Sequence, residues 1–190
     1  MKLLEERIMK DGSVKPGGIL KVDGFLNHRI DPGLMYEMAQ ELKRLYAGEN
    51  INKILTIEAS GIALAIMCAL VFDCPMVFAK KSKSSNISDD LYSVEIESFT
   101  HGNTNTVVAS KEYLDSSDRV LIIDDFLATG SALEGLKSLV EQAGGTVVGA
   151  GIAIEKVFQG GGNKLRAKGL RIESLARISA MDDDGNISFC

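Results

Sequence analysis

The chain has 190 residues, which predicts one domain with a sizeable hydrophobic core. Its composition, 45% hydrophobic and 25% charged residues, is ordinary for a globular protein, and a net charge of -5 at pH 7 argues against general nucleic-acid binding. No run approaches the ~18 apolar residues that predict a membrane span, so we expect neither a nucleic acid nor a membrane as a partner.

The N-terminal half predicts a short helix, an irregular segment and then one strand–helix–strand unit. Asp31 and Pro32 mark the start of a helix, because Asp is favoured as an N-cap and Pro at the first helical position. Apolar strands at 53–58 and 76–79 flank an apolar helix at 62–71, and a crossover of this kind joins parallel strands. The other elements predicted here are a helix at 2–10 and an extended piece at 19–22.

The C-terminal half continues the alternation of strands and helices after an insertion. Residues 80–90 are rich in Lys, Ser and Asp, and the partly alternating segments at 91–99 and 104–110 predict a hairpin. The elements that follow are strand 120–124, helix 131–143, strand 146–154, a weak helix at 163–168, and strands at 170–178 and 187–189. This order predicts an α/β fold, a parallel β-sheet flanked by helices, with ligands at the carboxyl ends of the strands.

One stretch combines a buried strand, two acids and a small-residue loop that precedes a helix. Four aliphatic residues at 120–123 predict a strand buried on both faces, and Asp124 and Asp125 follow where it is expected to end. The helix start offers unpaired N–H groups and a positive dipole end to a phosphate, while the carboxylates suit sugar hydroxyls or a developing cation. The alternative is an ordinary strand–helix turn with an acidic edge. The residues expected to hold the phosphate are Ala128, Thr129, Gly130, Ser131 and Ala132.

This stretch resembles the site for 5-phosphoribosyl 1-diphosphate (PRPP) in the type I phosphoribosyltransferases. The resemblance implies that Asp124 and Asp125 act in catalysis, by holding the ribose hydroxyls and stabilising transition-state charge, and that the loop at 128–132 holds the 5-phosphate. Within the family, the chain is most similar to the bacterial members that act on xanthine. The stretches that carry this closer resemblance are 20–23, 25–28, 123–128, 154–156 and 173–178.

A second turn and a lysine cluster are the candidates for the diphosphate. The family places its pyrophosphate loop after the first core strand, which here is the turn at 59–61. The adenine branch usually has Arg where this chain has Ser60, which leaves backbone N–H groups as the contacts. The alternatives are a plain strand–helix turn and a solvated run of charge. The residues assigned to pyrophosphate are Ala59, Ser60, Gly61, Lys80 and Lys81.

Lys156 follows a buried-looking strand, where its ammonium can donate to a carbonyl oxygen of a ligand; the alternative is an exposed lysine at a strand end. By resemblance this position lies at the base pocket, and Leu20 and Asn27 complete the xanthine site.

Ala128 replaces an Asp that hypoxanthine-guanine enzymes carry, which moves the resemblance toward the adenine and xanthine branches. An ammonium favours an oxopurine over adenine, whose amino group donates. The implied reaction converts xanthine and PRPP to xanthosine 5′-monophosphate and pyrophosphate.

The resemblance implies further parts and partners. The chain is expected to form a single domain at 1–190. This domain includes a hood, formed by about 1–31 and the C-terminal tail, and a flap at about 82–105 that closes over the reaction. Mg²⁺ is expected to bind with PRPP and pyrophosphate rather than in a protein cage, and the chain is expected to form a homodimer. The three cysteines lack metal-ligand spacing, which indicates a reducing, cytoplasmic setting.

Two alternatives stay open. The first is transfer to another purine base, guanine, hypoxanthine or adenine, on the same PRPP site. The second is a non-catalytic regulator that keeps the fold and senses PRPP. Such regulators usually carry an added DNA-binding module, and nothing before Ile19 is long enough or basic enough for one.

Overall fold

The computed structural model describes residues 1–81, 90–97, 104–182 and 184–190. The helices are α1 (Lys2–Asp11), α2 (Pro32–Leu45), α3 (Ile62–Phe72), α4 (Ser131–Gln142) and α5 (Gly161–Ala167). The strands are β1 (Ser13–Lys15), β2 (Ile19–Lys21), β3 (Lys53–Ile57), β4 (Met76–Ala79), β5 (Leu91–Glu97), β6 (Thr104–Ser110), β7 (Arg119–Leu127), β8 (Thr146–Lys156), β9 (Ile172–Met181) and β10 (Ile187–Phe189). Most of the predicted flap, 82–89 and 98–103, lies outside the described residues.

A six-stranded sheet forms the centre of the fold, in the order β10-β9-β8-β7-β3-β4. Every neighbouring pair is parallel except β9 and β10, which are antiparallel. The carboxyl ends of the parallel strands meet at one edge, so the turns that follow β3, β7 and β8 lie near one another. The predicted α/β sheet flanked by helices is confirmed, with one antiparallel strand added at its end.

The sheet separates two hydrophobic clusters, because successive strand residues point to opposite faces. On β7, Leu121 and Ile123 belong to one cluster, whereas Val120 and Ile122 belong to the other. The first cluster holds the apolar faces of α1, α2 and α3, and the second holds those of α4, α5 and the β5–β6 hairpin. No helix in the described ranges has the length and apolarity needed to cross a membrane.

Strand β7 is longer than the sequence pattern predicts. It was expected to end at the acid pair, but Asp124 pairs with Ile152 and Phe126 pairs with Ile154 on β8. Strand β7 therefore contains both acids and continues to Leu127. Asp124 and Asp125 consequently lie within a paired strand of the central sheet rather than in the turn.

The N-terminal hood also contains structure that the pattern did not predict. Residues Ser13–Lys15 form β1, which pairs antiparallel with β2. A single π-helical turn, Asp23–Asn27, then leads toward α2, whose N-cap Asp31 accepts a hydrogen bond from the Leu34 amide at 3.2 Å. The predicted N-cap and first-turn proline of α2 are confirmed.

Candidate active site

A cavity of ≈ 320 Å³ opens at the carboxyl ends of β3 and β7. Its wall contains both acids, Asp124 and Asp125, and the whole loop at 128–132. Ser60 comes from the turn after β3, and Lys81 comes from the segment after β4. The structure thus brings residues from three separate parts of the chain to the edge where ligands of parallel sheets bind.

The acid pair forms the floor of the cavity and is largely buried, with Asp124 7% and Asp125 6% exposed. Asp125 accepts hydrogen bonds from the Ser60 hydroxyl at 3.0 Å and from the Asn27 amide nitrogen at 3.4 Å. Asp124 accepts one from the Asp125 backbone N–H at 3.0 Å. Burial and then the neighbouring Asp125 charge raise the pKa of Asp124 well above its usual range. A cation or hydroxyl donors in the cavity would therefore favour its ionised form.

The loop at 128–132 is shaped as an anion site. Gly130 has φ +90°, a left-handed conformation that favours glycine, and α4 begins directly after it. Within the part of the chain that the structure describes, no side chain caps the start of α4. The first-turn N–H groups are thus available to a phosphate, and the hydroxyls of Thr129 and Ser131 lie 3.3 Å apart beside them.

The turn at 59–61 packs tightly on the acid pair. It joins β3 to α3, and the peptide bond between Glu58 and Ala59 is cis. A Cβ on Gly61 would overlap the Thr56 hydroxyl and lie 3.1 Å from an Asp124 carboxylate oxygen. Glycine is favoured here because a side chain would overlap the buried Thr56 hydroxyl, and the close approach to Asp124 places this turn beside the acids.

The two predicted lysines lie in different places. Lys81 lines the cavity, and its backbone N–H donates to the Glu58 carboxylate at 2.7 Å. Lys80 lies outside this cavity: its backbone exchanges two hydrogen bonds with Val108, at 2.9 and 2.8 Å, and its ammonium lies 5.8 Å from the Phe78 ring centroid. The structure therefore brings Lys81, and not Lys80, to the acid pair.

Two of the three predicted base-pocket residues contact consecutive residues of β7. Lys156, half-buried at the end of β8, donates to the Gly18 carbonyl at 3.0 Å and lies 5.6 Å from the Phe126 ring centroid. Burial lowers the pKa of Lys156. Asn27 contacts Asp125 through its amide nitrogen, and its buried Oδ1 has no hydrogen-bond partner among the described residues. The third predicted residue, Leu20, is buried in the hydrophobic core of the hood.

Several cavity residues were not predicted from the sequence. Glu58 comes from the end of the first core strand, Phe126 and Leu127 come from the extended end of β7, and Asn105 comes from the hairpin. Adjacency to the predicted turns was an available signal for Glu58, Phe126 and Leu127. Asn105 lies at the end of the flap expected at about 82–105, so the resemblance indicated its segment but not this side chain.

Comparisons with known proteins agree with this geometry. The family model for the phosphoribosyl transferase domain matches residues 33–161. Xanthine phosphoribosyltransferase from Finegoldia magna is 57% identical over 98% of this chain and 98% of its own length. The Bacillus cereus protein of the same name is 52% identical over 100% and 95%. The crystal structure of adenine phosphoribosyltransferase from Rhodothermus marinus superposes with a TM-score of 0.76 at 26% identity, covering 93% of this chain and 99% of that one. The chain therefore belongs to the phosphoribosyltransferase family and, within it, to the xanthine phosphoribosyltransferases.

Proposed function

We propose that this protein is a purine salvage enzyme that converts xanthine and PRPP to xanthosine 5′-monophosphate and pyrophosphate. The observation that carries the proposal is one cavity in which Asp124, Asp125, the loop at 128–132 and Lys81 converge. Each part of this set suits one part of PRPP. The acids accept hydrogen bonds from the ribose hydroxyls, the helix start binds the 5-phosphate, and the lysine ammonium binds the diphosphate. The relatives at 57% and 52% identity bear the name of this activity.

The proposed placement of PRPP follows the polarity of the cavity wall. The 5-phosphate meets the N–H groups and hydroxyls of the loop at 128–132, and the ribose hydroxyls donate to Asp124 and Asp125. The diphosphate lies between the turn at 59–61 and Lys81, where backbone N–H groups and an ammonium are in reach. Lys80 joins this set only if the segment after β4 moves, since its backbone is paired with Val108.

The chemistry needs charge stabilisation more than a strong base. The bond from ribose C1 to the diphosphate oxygen breaks, and its electron pair leaves with the diphosphate. A ring nitrogen of xanthine, whose proton has passed to solvent, bonds to C1. Positive charge develops on the ribose ring as the diphosphate departs, and its stabilisation is assigned to the two acids, whose burial in the cavity strengthens that interaction. Xanthine is the most acidic of the candidate bases, so it can enter as an anion, which suits the absence of an acid at Ala128.

Base selection is assigned to Lys156 and Asn27. The Lys156 ammonium uses one donor on Gly18 and has two more, which suit a 6-oxo group and oppose the 6-amino group of adenine. The free Oδ1 of Asn27 is an acceptor, and xanthine has ring N–H groups on both sides of C2. Hypoxanthine and guanine lack the N3–H of xanthine, so an Asn27 Oδ1 that accepts from N3–H would lose that hydrogen bond with either base, a penalty of about 1–3 kcal/mol.

Mg²⁺ is assigned to the substrate side of the site. Among the described residues, no group of three His, Cys, Asp or Glu side chains is placed to hold a metal ion. Asp124 and Asp125 are oxygen donors of the kind that Mg²⁺ prefers, and the raised pKa of Asp124 fits a site that gains a positive charge on loading. When bound, Mg²⁺ neutralises charge on the departing diphosphate.

The proposal includes a cytoplasmic homodimer. Strand β4 ends the sheet, and a groove of ≈ 770 Å³ beside it is lined by Phe78 and Tyr113, which are 40% and 54% exposed. Leu70 on α3 is 69% exposed. A second copy would cover these apolar side chains. The cysteines are free, which suits a reducing compartment.

Light scattering with Phe78→Glu tests the dimer. We expect the parent protein to dimerise and Phe78→Glu to dissociate it, because a charge would be buried in the interface. Leu3→Glu is the matched control, since Leu3 is 47% exposed on α1 and away from the groove. A parent protein that is an active monomer would remove the dimer from the proposal.

Competition among xanthine, guanine, hypoxanthine and adenine at equal concentrations tests the reaction, with PRPP and Mg²⁺ present. We expect xanthine to be used first, guanine and hypoxanthine far less, and adenine not at all. Lys156→Ala should weaken the preference for oxopurines, whereas Lys2→Ala, a change at a side chain 87% exposed on α1, should leave it intact. Adenine preference in the parent, or an unaltered preference in Lys156→Ala, would refute the base assignment. PRPP binding without any turnover would favour the regulator instead.

A further inference from the structure

Helix α5 lies directly behind the loop at 128–132. The Gly161 backbone N–H donates to the Ala128 carbonyl at 3.1 Å. A Cβ on Gly161 would overlap both the Ala128 carbonyl oxygen and the Thr129 carbonyl carbon, and would lie 2.6 Å from the Gly130 amide nitrogen. The clashing atoms are backbone, so neither partner can rotate away. Only a glycine at 161 allows the loop and the helix start to pack as they do.

The same helix also supports the turn at Gly130. A Cβ on Gly130 would lie 2.9 Å from Leu165 Cδ1 and 3.5 Å from Gly161. Leu165 is 2% exposed and belongs to the cluster that contains the apolar face of α4. The left-handed residue that opens α4 is therefore held from behind by two residues of α5.

Helix α5 is in turn fixed to the strand that carries Lys156. Glu155 is fully buried and accepts two hydrogen bonds from Arg166, at 2.6 and 2.7 Å, and one from the Ser174 hydroxyl at 2.6 Å. A Cβ on Gly162 would overlap this Glu155 carboxylate. Burial raises the pKa of Glu155, but the hydrogen bonds from Arg166 and Ser174 outweigh burial and lower it. The carboxylate is thus charged and paired, and α5 is held on β8.

We infer that Gly161 is a positioning residue for the 5-phosphate of PRPP, because it lets α5 hold the phosphate loop in its binding shape from behind. The inference rests on the proposed function, and Gly161 itself has no place in the cavity wall. A helix N-terminus binds a phosphate only when its N–H groups point at the oxygens. A displacement of about 1 Å at such a site can cost about a hundredfold in rate.

Gly161→Ala and Gly169→Ala form the test pair. Gly169 follows the other end of α5 at φ +87° with nothing within 4 Å of a Cβ, so alanine there strains the helix end without touching the loop. We expect Gly161→Ala to raise the KM for PRPP about tenfold or more and the KM for xanthine by no more than about twofold. Gly169→Ala should lower the melting temperature but leave both KM values near those of the parent.

Calorimetric titration of PRPP into the same variants separates this inference from the proposed reaction. The affinity for PRPP should fall in Gly161→Ala alone, even if the parent protein uses a base other than xanthine. If Gly161→Ala does not fold, Leu165→Met, which keeps the buried volume, should still weaken PRPP binding several-fold by changing the contact under Gly130. Parent-like PRPP affinity in the folded variant, or equal losses in Gly161→Ala and Gly169→Ala, would overturn the inference.

Discussion

Replacing Gly130 with alanine tests whether the loop before α4 holds a phosphate. Gly130 has φ +90°, and an L residue in the left-handed region costs about 1–2 kcal/mol. The added Cβ meets the flexible end of Leu165 at 2.9 Å, a contact that a small side-chain movement relieves. The strain alone should lower the melting temperature of a chain of this length by about 2–8 °C.

The loop can release that strain by leaving the left-handed conformation, which turns the first N–H groups of α4 away from the cavity. Losing one hydrogen bond to a charged phosphate costs about 1.5–3 kcal/mol. That loss corresponds to about a tenfold to hundredfold weaker affinity for PRPP. Gly130→Ala should therefore lose both stability and PRPP affinity.

The matched control is Gly48→Ala, since Gly48 has φ +87°, nothing within 4 Å of a Cβ, and lies far along the chain from the loop. Thermal unfolding should show a similar loss of stability in both variants. Isothermal titration should show weaker PRPP binding in Gly130→Ala only. Equal PRPP affinities in Gly130→Ala and the parent would refute the assignment of the phosphate to this loop.

The stability of two carboxylate variants, compared with the parent, should depend on pH in different ways. Burial and the Asp125 charge raise the pKa of Asp124, so the parent loses stability as the pH rises through that value, whereas Asp124→Asn does not. Without ligand, the free energy of unfolding of Asp124→Asn should exceed that of the parent by an amount that grows with pH. Steady-state assays should show reduced turnover. A stability difference that does not change with pH would contradict this. Glu155→Gln should lose about 1.5–3 kcal/mol at pH 7, because Arg166 loses a charged partner but is 29% exposed and keeps its hydrogen bonds to the Ile172 carbonyl. That deficit should shrink in denaturant titrations as the pH falls from the ordinary Glu value of 4.5 through the lowered pKa of Glu155, because the parent loses its stabilisation over that range.

The parts of the fold that follow from local patterns were predictable. The aliphatic run at 120–123 and the spacing of apolar residues in α4 each depend on residues close in sequence, and both elements formed as predicted. The end of β7 could not be predicted from the local pattern, because Asp124 and Phe126 become strand residues only through pairing with β8. Strand β1 was missed for the same reason: its partner β2 decides its conformation.

The site shows the same division between local and distant information. The acid pair and the loop at 128–132 are contiguous, so their shared edge was predictable. Lys80 and Lys81 are adjacent, and consecutive side chains of an extended chain point to opposite sides, so composition does not tell which one faces the cavity. Gly161 was uninformative in the sequence, because its neighbour is a loop about thirty residues earlier in the chain.

The extension of β7 solves an electrostatic problem that the contiguous motif creates. Two carboxylates and the proposed phosphate site lie within nine residues, 124–132, and like charges about 4 Å apart repel by about 4 kcal/mol at an effective dielectric constant of 20. Because the strand continues to Leu127, three extended residues put about 10 Å between Asp125 and the start of the loop. At that distance the repulsion falls to less than about 2 kcal/mol, and salt screens it further. The ribose of the proposed ligand separates its phosphate from its hydroxyls, so the same strand end that separates the charges also suits PRPP.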